Sequence, residues 1–296
     1  MTSGPAGEPG APRWVDLHTH STASDGALPP AGVIASAHAA GLAAIALTDH
    51  DTLDGVAAAR TAGEGLGVRV ITGVELSAML GDHEMHILGL HLATTVELER
   101  ELRSFRATRH SRAEQIVASL NALGVPVTMD AVLSHAGGGA VGRPHVARAI
   151  IAGGWVHSQR EAFDRYLGAG RPANVAKHHL TVAEAIRLVH EAGGVAVLAH
   201  PGQDGSRARV EPLAALGLDG IEVRHPSHSA EDIARLMALA DHFHLVPSGG
   251  SDWHGSMEGP RTLGVMKVPY AWMEQQAERA TRYATPTMLA GSHGAE

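Results

Sequence analysis

The chain has 296 residues, 44% of them hydrophobic, with 21 histidines, no cysteine and a formal net charge of −8. That length supports a full buried core, in one large α/β domain or one domain carrying an insertion. The lack of cysteine excludes disulfides, thiolate nucleophiles and cysteine-based zinc sites and fits a cytoplasmic setting, while the acidic balance gives no global attraction for nucleic acid.

Residues 1–12 are rich in Gly and Pro, lack an apolar signal segment and read as a disordered leader. Trp14 to His18 reads as a short strand, and Pro29-Pro30 opens a helix to about Ala40, since Pro suits the first helical turn. Ala43 to Thr48 is a buried strand ending in Asp49-His50-Asp51, and a helix follows from Gly55 to Gly63. Val68 to Glu75 and Glu84 to Leu90 are further strands. This alternation predicts a mostly parallel sheet or barrel, with polar clusters at the strand ends where active sites assemble. From 95 to 176 helical spacing takes over, in Leu98, Leu102 and Phe105, then Ile116, Val117 and Leu120, then 146–151 and 162–167. Strands return at Val195 to Ala199, Gly220 to Val223 and His244 to Pro247, with helices at Val182 to Ala192 and Ala230 to Ala240. The expected organisation is a barrel made of 13–94 and 177–283, a helical insertion at 95–176, and a frayed tail at 284–296. No run of eighteen apolar residues predicts a membrane span.

His18 and His20 lie two apart on a strand end, so both side chains share a face and can reach one ion. Asp25, His50, Glu75, His86, His200, Asp252 and His254 also fall near strand ends. So many imidazoles and carboxylates around buried strands point to metal ligation. Such ligands suit Zn, Mn or Fe.

Asp16-Leu17-His18-Thr19-His20 with Ser24-Asp25-Gly26 resembles the first motif of the PHP (polymerase and histidinol phosphatase) superfamily. Leu47 to Thr52, Gly73-Val74-Glu75, His86 to Gly89, Ala199-His200-Pro201 and Gly250 to His254 resemble its later motifs, in order. The resemblance implies a distorted (β/α)7 barrel and three divalent ions. His18, His20, Glu75 and Asp252 would hold one, Glu75 would bridge to a second on His86 and His200, and Asp25, His50 and His254 would hold a third. The Ser-Asp-Gly form at Asp25, Gly142-Arg143-Pro144-His145 and Glu222-Val223-x-His225-Pro226-x-His228 resemble the branch of nucleoside 3′,5′-bisphosphate phosphatases and 5′→3′ exoribonucleases. By that resemblance Arg143 and His225 grip the substrate phosphate. His145 is either a second phosphate contact or a helix-start residue.

The implied activity is hydrolysis of phosphate esters by metal-activated water, removing the 3′-phosphate of nucleoside bisphosphates or shortening RNA oligonucleotides from the 5′ end. Three carboxylate ligands and three divalent ions leave such a site at about +3, attractive to phosphate within an acidic protein. The competing readings are a phosphatase of a small metabolite such as histidinol phosphate, an amidohydrolase, and a non-catalytic accessory module. A phosphorylated nucleotide or short RNA is the only partner expected, with no membrane and no protein partner. His83, in the turn Gly81-Asp82-His83, and His178-His179 read as surface residues. Arg100, Arg103, Arg106, Arg109 and Arg112 form a drifting helical stripe that reads as a solvated face, with guidance of an oligonucleotide as the alternative.

Overall fold

The computed structural model describes residues 13–136, 141–175 and 180–284. The expected leader, the tail and His178-His179 lie outside the described residues. Two compact units emerge, one of Met1–Glu99 with Leu180–Glu296 and one of Arg100–His179.

Short apolar runs build the sheet of the first unit: β1 (Trp14–Asp16), β2 (Ala44–Leu47), β3 (Arg69–Leu80), β4 (His83–Leu90), β5 (Leu180–Thr181), β6 (Val195–Leu198), β7 (Gly220–Arg224), β8 (Val246–Gly249) and β9 (Val268–Pro269). Every residue of β2 and β6 is buried, as in strands covered on both faces. The order is β8-β7-β6-β4-β3-β2-β1-β9, with β5 beside β3. The sheet nearly closes on itself. Leu17 donates its N–H to the Gly249 carbonyl at 3.1 Å, and Thr19 bridges Trp253 in parallel.

β4 departs from the expected parallel arrangement by running antiparallel to both β3 and β6. The cause is local. Only Gly81-Asp82 separates β3 from β4, and a parallel return needs a crossover of about a dozen residues or more. β3 also runs beyond the expected Glu75 to Leu80. His83 opens β4 rather than sitting in the turn, and it is exposed as expected.

Helices follow strand ends: α1 (Pro30–Ala39), α2 (Val56–Leu66), then α3 (Val96–Ala122), which leads into the second unit. That unit continues with α4 (Met129–Ser134), α5 (Arg143–Ala152), α6 (Gln159–Ala162) and a π-helical turn at Phe163–Leu167, around a core including Ile116, Leu120, Val132, Val146 and Ile150. Back in the first unit come α7 (Val182–Glu191), α8 (Arg207–Ala215), α9 (Ala230–Phe243) and α10 (Tyr270–Ala280). Thr181 with Glu184 and Ser229 with Asp232 form capping boxes on α7 and α9, satisfying backbone N–H groups that the first turn leaves open. Among the described residues no helix is long and apolar enough to cross a membrane.

Candidate metal centre

The expected ligand residues gather at one end of the barrel sheet. His18 and His20 follow β1, and His50 follows β2, where it bridges Glu75 of β3. His200 follows β6, and Asp252 and His254 follow β8. The antiparallel β4 brings His86, near its own start, to the same end. Close approach is built in: a Cβ on Gly250 would fall 2.4 Å from the His18 Cβ, and one on Gly26 2.4 Å from the His20 carbonyl oxygen. Only glycine allows the chain to pass there. Asp252 and His200 have φ of +50° and +27°, in a region that disfavours side chains. The surroundings must hold such residues in place.

Three groups of side chains each offer ligand atoms within 4.8 Å of one another: His18, His20, Glu75 and Asp252; His50, Glu75 and His86; and His20, Asp25, His50 and His254. Glu75 is central. One of its oxygens faces the Nε2 atoms of His18 and His20 at 3.1 and 3.2 Å, and the other lies 2.7 Å from His86 Nδ1 and 3.1 Å from His200 Nε2. The grouping differs from the expected one in three respects. His50 stands with Glu75 and His86, and His20 is shared between two groups. His200 is outside the three groups, although it reaches Glu75 and lies 3.3 Å from His86.

Both ring nitrogens of His20 are buried without a hydrogen bond, although Glu75 and Asp252 each stand 3.2 Å from Nε2. A cation between these atoms would satisfy donors that the fold leaves open. The nitrogen and oxygen donor set fits a divalent metal.

The electrostatics agree with this. Burial alone would raise Glu75, yet His18, His50 and His86 hold its carboxyl well below the usual range. Burial likewise opposes ionisation of Asp25 and Asp252, and neighbouring histidines depress both. Burial pulls the His20 imidazole down, but Asp252 and Glu75 outweigh it and lift the group to about 9. His18 moves the same way, burial being overcome by Glu75 and Glu222. The site thus sets two buried carboxylates, Glu75 and Asp252, beside the exposed Asp25, and the buried pair demands positive charge, supplied either by protons or by metal.

Several participants escape the sequence reasoning. Glu222, fully buried on β7, lies 3.2 Å from His18 Nδ1 and accepts the His200 N–H at 2.7 Å. It holds one imidazole by its ring and the backbone of another ligand residue at once. Its signal was available in Ile221-Glu222-Val223, where strand alternation turns Glu222 away from its apolar neighbours. Asp16 accepts N–H groups of Ser251 and Gly264, and Asp49 binds Ser21 and Ser24, bracing the loops that carry the ligands. Arg261 pairs with the Asp252 oxygen that also faces His225. No spacing rule links it to the site. His225 itself is buried, with Nδ1 2.7 Å from Ser227 Oγ and Nε2 3.4 Å from Asp252.

In the second unit Arg143 opens α5 and donates to the Leu167 carbonyl at 3.1 Å, with its guanidinium over the Phe163 ring. The His145 Nδ1 accepts the Gly142 N–H at 3.0 Å, the helix-start role. Arg112 corrects the solvated-stripe expectation: it is buried, and its Nε donates to the Val175 carbonyl at 2.8 Å. Burial, then the charges of Arg143 and Arg109, lower its pKa to about 10. Arg112 therefore lies close enough to Arg143 and to Arg109 to be repelled by each.

A barrel sheet with buried His/Asp/Glu clusters at one end defines a metal-dependent hydrolase, and the comparisons specify the kind. The family model for the PHP domain matches residues 16–121. The 3′,5′-nucleoside bisphosphate phosphatase of Chromobacterium violaceum is 39% identical over 257 residues, 84% of this chain and 90% of that one. The 5′-3′ exoribonuclease Rnm of Escherichia coli is 36% identical over 247 residues, 81% of this chain and 84% of that one. A solved structure of a candidate metal-dependent phosphoesterase from Bifidobacterium adolescentis superposes with a TM-score of 0.73 at 30% identity, covering 91% of this chain and 98% of that one. The chain belongs to the PHP-domain family. It is a metal-dependent hydrolase of phosphate esters.

Proposed function

We propose that this enzyme removes the 3′-phosphate from nucleoside 3′,5′-bisphosphates and shortens RNA oligonucleotides from the 5′ end, using three divalent ions (Mn, Zn or Fe) in a cytoplasmic setting. The observation that carries the metal count is the sharing of ligands. Glu75 belongs to two of the three groups, as do His20 and His50, so ions held there would be close neighbours. His18, His20, Glu75 and Asp252 would hold one; Glu75, His86, His200 and His50 a second; Asp25, His50 and His254 a third. Bound divalent ions supply Lewis acidity and water activation at neutral pH.

The chain's own residues do the rest. Glu222 fixes the His18 ring in orientation, as outer carboxylates do for ligating imidazoles, and anchors the backbone of His200. By resemblance to the branch that carries Gly142-Arg143-Pro144-His145, Arg143 supplies a guanidinium suited to two phosphate oxygens. His225 reaches Asp252 and would contact the phosphate from the barrel. His145 is assigned to the helix start, where its ring is already engaged. The relatives support the substrate class, since the two named above act on a nucleoside bisphosphate and, by its name, on RNA from the 5′ end.

The test is phosphate release by metal-loaded protein from adenosine 3′,5′-bisphosphate and from histidinol phosphate, beside a ladder assay on a short 5′-phosphorylated RNA. Turnover of the bisphosphate and stepwise loss of 5′ nucleotides are expected. Turnover of histidinol phosphate alone would replace this reading with that of a metabolite phosphatase.

A further inference from the structure

A cleft of about 380 Å³ opens beside the metal centre, entirely within the barrel unit. His86 and His200 form its inner wall, and Met85, Pro201 and Arg209 line it further out. Its volume lies within the range of small-molecule sites, roughly 300–1,000 Å³.

Arg209, on the first turn of α8, is the unusual member. Its neighbour Arg207 pairs with Glu211 at 3.5 Å, and Arg235 on α9 pairs with Asp232 at 2.7 Å. Arg209 is only half-exposed, yet its guanidinium has no hydrogen bond or ion pair among the described residues. A long cationic side chain held in a cleft without a partner is placed for an incoming anion. The same wall carries Glu84 and Asp204, so the cleft is no general anion trap and favours a charge delivered at the guanidinium.

We propose that this cleft is the subsite for the substrate portion remote from the scissile bond, and that Arg209 binds the 5′-phosphate of a nucleoside 3′,5′-bisphosphate while the 3′-phosphate sits at the metal centre. The inference rests on the proposed function and deepens it. It assigns the enzyme's preference for a second phosphate to one side chain. The nucleoside between the two phosphates lies against Met85 and Pro201, which give apolar contact.

The test compares kcat/KM for adenosine 3′,5′-bisphosphate and adenosine 3′-monophosphate in the wild type, Arg209→Ala and Arg209→Lys. The wild type is expected to prefer the bisphosphate, and Arg209→Ala to lower the ratio of the two kcat/KM values by about 10- to 100-fold, the loss typical of a charge-assisted contact. Arg209→Lys, which keeps the charge and loses the fork, falls between. Calorimetric titration with adenosine 5′-monophosphate, the product that keeps the distal phosphate, is expected to show weaker binding to Arg209→Ala by a similar factor. An unchanged ratio, or a wild type with no preference, overturns the subsite while leaving the phosphatase reading intact. Failure of the wild type to hydrolyse either nucleotide removes the phosphatase reading instead, and the subsite with it.

Discussion

Glu75 and Glu222 have different tasks at one site. Glu75 faces imidazoles with both oxygens, whereas Glu222 stands behind them, touching His18 and the His200 backbone. Removing the Glu222 charge leaves the ligands present but less well aimed. Glu222→Gln is therefore expected to weaken metal affinity by about 10- to 100-fold, measured by competition with a chelating dye, while the circular dichroism spectrum is retained. Protonation sets a second expectation. His20 is lifted from 6.5 to about 9 and His18 is raised in the same direction, so below pH 9 protons occupy nitrogens that a metal needs neutral. Apparent metal affinity is expected to climb from pH 6.5 to 9, by up to about tenfold per unit for each proton displaced. Calorimetry in buffers of different ionisation enthalpy counts those protons. The sign reverses for stability of the metal-free protein. A group whose pKa is raised by folding stabilises fully below its ordinary 6.5, and that contribution disappears as pH rises through about 9. Chelated protein should therefore unfold more easily in urea at pH 9 than at pH 6.5.

At the level of elements, two glycines separate a packing constraint from a conformational one. Gly250 follows β8, and a Cβ there would meet His18 Cβ at 2.4 Å and His18 N at 2.5 Å. Gly250→Ala must push β1 and β8 apart at the point where the sheet closes. Denaturant titration is expected to show a loss of about 1–3 kcal/mol, accompanied by weaker metal binding. Gly67 caps α2 at φ +70° with nothing within 4 Å of the added methyl. Gly67→Ala is expected to cost about 1–2 kcal/mol through backbone conformation alone and to leave metal affinity unchanged. Equal effects of the two substitutions on metal binding would refute the assigned close approach. Elements with long apolar runs or clear caps were legible in the sequence, including β2, β6, α7 and α9. α8 was not, because Pro212 interrupts it and its apolar residues do not gather on one face. β9, with two residues, is too short for any periodicity. The reversal of β4 could have been read from the tight Gly81-Asp82 turn, where Gly81 takes φ +61°.

Across the whole molecule, the pair His18 and His20 belongs to a cluster assembled from residues as far apart as 18 and 254. Ligand types and strand-end positions made the cluster legible, since imidazole and carboxylate are rare in buried barrel ends without an ion. Supporting partners such as Arg261 and Asp16 were hidden because their contacts are set by loop paths that spacing does not encode. The acidic net charge of −8 is compatible with a phosphate substrate because the metal ions invert the local field. The most direct measurement is phosphate release from adenosine 3′,5′-bisphosphate as fully chelated protein is titrated with Mn²⁺. Activity absent at the start and rising with each ion bound is the expected result. Undiminished release from protein shown to contain no metal would contradict the account.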